Sequence, residues 1–215
     1  DKGMALIAHH FLKNDVGYSV TTKKLYHYNE ARCMWLNLTQ NEFKWVLSEV
    51  IERSLRPLAK KYVDDAQKEP DKQKKQILYQ WASTVLSLIT KYSSTQGLSH
   101  LYPRFEGLVT SHDFESKFDR IPYLLGVKNG VIDLRSGELR ERRREDNIFR
   151  MCPVVYDPDA DTSFVDEMYL ATMADDAEMQ DYLQLSLGYT ITGESKEEIV
   201  LAFTGQGRNT KGTTM

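Results

Sequence analysis

The sequence predicts an α+β fold, mainly α-helical, on three observations. Between Phe43 and Tyr92 apolar residues recur at intervals of three and four, the period of helices with one buried face. Between Tyr18 and Leu38, and again between Pro122 and Arg140, the period falls to two and turn dipeptides interrupt it. Near the C-terminal end, Ile199-Val200-Leu201-Ala202-Phe203 reads as a short buried strand, and a glycine-rich turn with a lysine follows it. The chain accordingly divides into a helical region with an N-terminal β-hairpin (1–121), a β-hairpin with helices (122–195), and a first strand with its loop (196–215).

Composition sets bounds on function. A chain of 215 residues, 41% hydrophobic and 27% charged, can bury one globular core or two small ones. A net charge of −3 gives no global attraction to nucleic acid, so contact with phosphates has to come from a local patch or from assembly into a ring. Cys33 and Cys152 lie far apart without C-x-x-C spacing, which favours reduced thiols in an intracellular setting over a disulfide or metal site. No apolar run approaches the roughly 18–20 residues of a membrane helix, so a soluble protein with no membrane partner is expected.

Met4 to Leu12 suits a short helix ending between Asn14 and Gly17. His9 and His10 are adjacent, about 100° apart on such a helix, and cannot share a metal as an i, i+4 pair can. Tyr18, Val20, Leu25, Tyr26 and Tyr28, then Met34, Trp35 and Leu36, suggest an antiparallel hairpin or three-stranded ribbon. Lys23, Lys24 and Arg32 interleave with these aromatics as a base-stacking platform would require, but tyrosine and tryptophan are also ordinary sheet fillers, and that reading is favoured.

Thr39-Gln40-Asn41-Glu42 is a capping box, with Leu38 and Phe43 placed as its hydrophobic staple. The helix it opens carries Phe43, Val46, Leu47, Val50, Ile51, Leu55, Leu58, Ala59 and Tyr62 on one face, and Pro57 is expected to kink rather than end it. After a polar turn around Pro70-Asp71, a second helix carries Ile77, Trp81, Val85, Leu88 and Tyr92, widened by Leu78, Leu86 and Ile89. The two form an antiparallel hairpin whose solvated cap holds Lys72, Lys74 and Lys75. Leu98 to Phe118 contains Pro103 and Gly107 and predicts only short helices, with Ser111 or Asp113 as a later cap.

Asn129-Gly130 and Ser136-Gly137 separate apolar pieces and predict a small β unit. Arg140, Arg142, Arg143 and Arg144, with Arg135 and Arg150 nearby, then form the densest positive cluster. They are either DNA-contact residues or partners of Glu138, Glu141, Glu145 and Asp146. Ser163-x-x-Asp166 and Asp175-x-x-Glu178 predict two further capped helices, with Val165, Met168, Tyr169 and Met173, then Met179, Tyr182, Leu183 and Leu187, facing inward. Asp157, Asp159 and Asp161 lack the glycine and distal glutamate of a calcium hand, so capping explains them better.

The terminal glycine-rich turn has the outline of a phosphate-binding loop: glycines let backbone N–H groups converge on a polyphosphate, a lysine reaches the outer phosphates, and a hydroxyl holds Mg²⁺. Gly205, Gly207, Lys211 and Thr213 match those roles, with Thr213 as the metal candidate. Against G-x-x-x-x-G-K-[ST], Thr210 stands in place of the second glycine, and Gly212 where the hydroxyl residue usually stands. A plain glycine turn with an exposed lysine is the alternative.

The order of these parts, Leu125 to Leu139, Pro153 to Ala160, Leu187 to Gly193 and Phe203 to Thr213, resembles the poxvirus-type primase-helicase family of large DNA viruses and phages. The resemblance implies the region just before, and the opening of, a superfamily 3 helicase motor of AAA+ type. Gly205, Gly207, Asn209, Lys211 and Thr213 would then bind ATP with Mg²⁺. A longer parent would couple hydrolysis to DNA unwinding as a homo-hexameric ring, with single-stranded or forked DNA as its partner, at viral replication sites in the host cytoplasm or nucleus. Thr210 departs from that family's glycine. No primase active site is visible, no catalytic residue is assigned, and the chain alone, read as a fragment cut at its nucleotide loop, is expected to be inactive. A non-enzymatic DNA-binding or oligomerisation module with a degenerate loop is the other reading.

Overall fold

A computed structural model of the chain describes residues 1–204, in two units that divide between Ser116 and Lys117. The first unit opens with helix α1 (Lys2–Leu12). A meander of β1 (Val16–Ser19), β2 (Lys24–Asn29) and β3 (Met34–Leu38) follows, antiparallel throughout. Leu25, Tyr26, Tyr28, Met34 and Trp35 are buried, which makes the aromatics of this ribbon core rather than an exposed stacking platform.

Thr39 opens α2 (Gln40–Lys68) with both bonds of the capping box: the Glu42 N–H donates to Thr39 Oγ1 at 3.3 Å, and the Thr39 N–H donates to Glu42 Oε2 at 2.7 Å. The helix continues through Pro57. Asp71 accepts from the N–H groups of Gln73 and Lys74 and opens α3 (Lys72–Ser93), completing the hairpin. One expectation for α3 fails. Ala82, Ile89 and Tyr92 are buried, but Ile77, Trp81 and Leu86 are 44%, 51% and 47% exposed. The core residues that meet Ile89 and Tyr92 come from α1 and from α4 as well as α2, so a third layer covers only that half of the hairpin. In the other half Trp81 finds the edge of Tyr62, 5.5 Å between ring centres.

The expected short helices after Leu98 are instead one helix, α4 (Thr95–Val109), capped by Ser94 and running through Pro103 and Gly107. Packing overrides propensity here: Leu98, Leu101, Tyr102, Phe105 and Val109 are all buried, in clusters shared with α1, α2 and the meander. Neither Ser111 nor Asp113 starts an α-helix. Thr110–Ser111 forms β4, parallel to β1, giving a sheet ordered β3-β2-β1-β4, and Phe114–Lys117 is a 3₁₀ turn.

That turn latches onto the meander. Phe114 stacks on Tyr26 and meets Trp35 edge-on, at 6.0 and 5.3 Å, in space that a side chain at Gly17 would fill: a Cβ there would lie 2.0 Å from the Phe114 ring. Glu115 accepts hydrogen bonds from Ser19 Oγ at 2.9 Å, from the Tyr26 hydroxyl at 2.6 Å and from Thr22 Oγ1.

The second unit carries a three-stranded antiparallel sheet, β5 (Leu124–Val127), β6 (Gly130–Asp133) and β7 (Glu138–Arg140), in that order. Val127 pairs with Gly130, so the first turn is Lys128-Asn129, one residue earlier than Asn129-Gly130. Gly130 already lies in the strand because β7 approaches closely: a Cβ there would lie 2.4 Å from the Arg140 carbonyl oxygen. Asn129 ties the turn to Tyr156, donating to its carbonyl at 2.8 Å and accepting from its N–H at 2.9 Å. The second turn is as expected, with Gly137 at φ +73°.

Helices α5 (Ser163–Thr172) and α6 (Ala177–Ile191) start one residue away from the anticipated caps. Ser163 is the first helical residue of α5, and its N–H donates to Asp161. Asp176, not Asp175, caps α6 by accepting from Met179, while Asp175 takes a left-handed φ of +63°. Leu183 is buried, whereas Val165, Met179 and Tyr182, expected inside, are 40%, 47% and 59% exposed. Ile199 to Thr204 forms no strand; extended chain becomes a strand only against a hydrogen-bonded neighbour, and among the described residues none pairs with it.

Candidate nucleic-acid interface

The arginine cluster begins where β7 ends, and the structure separates its members. Arg140 forms a two-pronged bond with Asp146, NH1 to Oδ2 at 2.8 Å and NH2 to Oδ1 at 2.7 Å. Asp146 is 7% exposed and also accepts the Arg143 N–H at 2.8 Å. Burial by itself raises the Asp146 carboxyl; the Arg140 bond and the Arg143 N–H more than offset it and leave the group below the ordinary carboxylate range.

Arg142 turns the other way, into backbone. Its guanidinium donates to the carbonyls of Gly130 at 3.2 Å, Lys128 at 2.8 Å and Val127, closing the β5–β6 turn. Arg140 and Arg142 are therefore engaged in holding the second unit together. Arg143 is exposed and Arg144 half-buried, at the start of the 3₁₀ turn Arg144–Asp146. Arg135, farther back, forms a surface pair with Asp133 at 2.7 Å and holds the Asp133 carboxyl down to about 2.

A second segment reaches this cluster by bonds that no sequence period announces. The Asp119 N–H donates to the Asn147 carbonyl at 3.2 Å, and the Asp119 carboxylate accepts from the N–H groups of Phe149 at 2.9 Å and Arg150 at 3.1 Å. Residues 117–120 are thereby fixed against 147–150. The one trace in sequence is the residue type: Asp119 sits at φ +47°, a conformation Asp tolerates better than most residues.

The other sequence-nominated groups carry no comparable geometry. Lys23, Lys24 and Arg32 are exposed around a ribbon whose aromatics face inward, and Lys72 and Lys74 are exposed on the first turn of α3. His9 and His10 lie on the last turn of α1. Asp157 and Asp161 accept local N–H groups, from Asp159 and Ser163. Among the described residues no three His, Cys, Asp or Glu side chains gather as metal ligands, and no helix is long and apolar enough to cross a membrane. Gly205, Gly207, Asn209, Lys211 and Thr213 lie outside the described residues. The segment leading to them, Val200 to Thr204, lines a cleft with Met173, Met179, Tyr182 and Leu183.

The described residues form an α+β module whose second unit carries the basic cluster. A family model described as "D5 N terminal like" matches residues 5–173, and the chain belongs to that family, the N-terminal region of primase-helicases of large DNA viruses and phages. The chain is also similar to "Putative helicase L207/L206" of Acanthamoeba polyphaga mimivirus, 30% identical over 106 residues. That match covers 48% of this chain and 11% of the mimivirus protein, so the chain spans a small part of that relative's length.

Proposed function

We propose that this chain is the N-terminal region of the helicase part of a DNA replication primase-helicase, which binds single-stranded or forked DNA and, as a homo-hexameric ring, couples ATP hydrolysis to DNA unwinding. The observation that carries the reading is the family match over 5–173 together with the glycine-rich run that follows it in sequence. In that run Gly205, Gly207 and Asn209 cradle the phosphates, Lys211 neutralises the outer ones, and Thr213 holds Mg²⁺. The mimivirus relative's name, a helicase, agrees with this role. Action would take place at viral replication sites in the host cytoplasm or nucleus.

A second reading, a DNA-binding or oligomerisation module that never turns over nucleotide, rests on Thr210 in place of the loop's second glycine. A β-branched residue resists positive φ at a cost of about 1–3 kcal/mol, which weakens nucleotide binding by roughly 5- to 150-fold if the strain appears on binding. One set of assays on the full-length protein separates the two. Under the motor reading ATP hydrolysis is stimulated by DNA, Lys211→Ala lowers it by about 10²-fold or more, and Thr210→Gly tightens binding of a fluorescent ATP analogue. No hydrolysis in the wild type, with unchanged DNA binding in Lys211→Ala, selects the module.

A further inference from the structure

We infer that the cleft between the meander and α4 in the first unit takes one base of a single DNA strand, with Glu106 accepting from the base's amino group and Lys23 meeting a phosphate at the mouth. This deepens the proposed function and rests on it only for the presence of DNA. It uses none of the arginines of the second unit. Lys23 and Lys24 lack the bonds that mark those arginines; what they have is a cavity beside them.

The cleft follows from the register of the meander. Tyr18 pairs with Leu25, and Leu25 with Leu38, so these three side chains stand side by side across β1, β2 and β3, on the face that packs toward α2 and α4. Tyr102 and Glu106, one turn apart on α4, form the facing wall, and the space between holds about 620 Å³. Clefts of roughly 300–1,000 Å³ are the size in which proteins hold small ligands, and one nucleotide falls within it.

The polar groups around this space set what fills it. Lys23 lies exposed on the β1–β2 turn at φ +56°, and among the described residues its ammonium group has no hydrogen bond or ion pair. Glu106 is half-buried and pairs with no cation among the described residues; the Tyr102 hydroxyl donates to it, which occupies one of about four lone-pair sites on a carboxylate. An acid and a lysine thus line one cleft without pairing, so its ligand has to offer a donor to one and an anion to the other. A nucleotide whose base carries an amino group does both. Exposed Asn37 and Gln40, also lining the cleft, add amides that donate and accept. Thymine presents a carbonyl oxygen where cytosine presents its amino group, and a duplex base reaches the cleft only after unstacking, so cytosine in a single strand is the preferred occupant. Lys24 stands at the same mouth, but its charge also acts on Glu115, so the test falls on Lys23.

The test is fluorescence anisotropy of labelled oligo-dC and oligo-dT of equal length with the 215-residue chain, titrated over a range of salt. The wild type is expected to bind oligo-dC about 5-fold or more tightly than oligo-dT. Glu106→Gln brings the two to about equal affinity, because the new amide also donates to the thymine oxygen. Lys23→Gln keeps the preference for oligo-dC but weakens both strands alike, lowering the log–log salt slope by about 0.7 and the affinity near 0.1 M salt by about 5-fold. The control Lys72→Gln/Lys74→Gln, on α3, binds like the wild type, and all variants melt with it. No preference in the wild type, a preference that survives Glu106→Gln, an unchanged slope in Lys23→Gln, equal loss in the control, equally tight binding of a duplex, or no binding at low salt each overturns this site. Free dCMP that competes as strongly as unlabelled oligo-dC overturns the strand as its occupant. DNA-stimulated ATP hydrolysis by the full-length protein, measured separately, shows whether the motor reading stands or falls on its own.

Discussion

The two units of this chain are held together by different physics. In the first, two buried clusters join α1, α2, α3, α4 and the meander through side chains such as Phe43, Leu47, Ile51, Leu101 and Phe105, all fully buried. The second has a thinner apolar centre, Val127, Val131, Ile132, Ile148 and Leu183, and relies on polar clamps: Arg140 on Asp146, Arg142 on three carbonyls, Asp119 on two N–H groups, and Asn129 on Tyr156. The contrast teaches that a dense positive cluster in sequence need not be a binding patch. Charged groups take over structural work where the core is too small to fix a loop-rich sheet.

The comparison can be broken from the apolar side first. Phe105→Ala removes a fully buried ring from the first unit and is expected to cost about 3–5 kcal/mol, read as the shift of the urea midpoint at unchanged slope. A cost below about 1 kcal/mol means that the cluster collapses around the vacancy and is not the jigsaw described. A smaller effect sharpens the same picture: Thr39→Ala deletes half of the capping box of α2 and costs about 1 kcal/mol, a fall of about 2–4 °C in thermal midpoint.

Sequence reasoning reached the parts of the molecule where one local rule decides the outcome. The capping box at Thr39 and Glu42, the α2–α3 hairpin and the three-strand meander are set by period and by cap chemistry, both of which are local. α4 was hidden because Pro103 and Gly107 argue against a helix, and only the buried face of Leu98, Leu101, Tyr102 and Phe105 overrides them. The caps of α5 and α6 slipped by one residue where neighbouring Asp, Thr and Ser are all competent acceptors. The latch of Phe114 and Glu115 onto β1 and β2 joins residues some 90 apart in sequence with no period to mark it. For the arginines, spacing shows charge but not direction: Arg140 reaches six residues forward to an acid, whereas Arg142 reaches back to carbonyls that carry no side-chain signal.

The claim that charged clamps hold the second unit is tested most directly at Asp146. Its folded pKa lies below its unfolded one, so its stabilisation is fully present above an unfolded value of about 4 and is lost as pH falls through the folded value. Asp146→Asn imposes that loss at neutral pH, leaving Arg140 without its carboxylate at a cost of about 3 kcal/mol. Amide hydrogen exchange near pH 7 is expected to show β5, β6, β7 and residues 144–150 opening about 100-fold more often, with α2 and α4 of the first unit unchanged. Unaltered protection of β6 and β7 in Asp146→Asn would contradict the account.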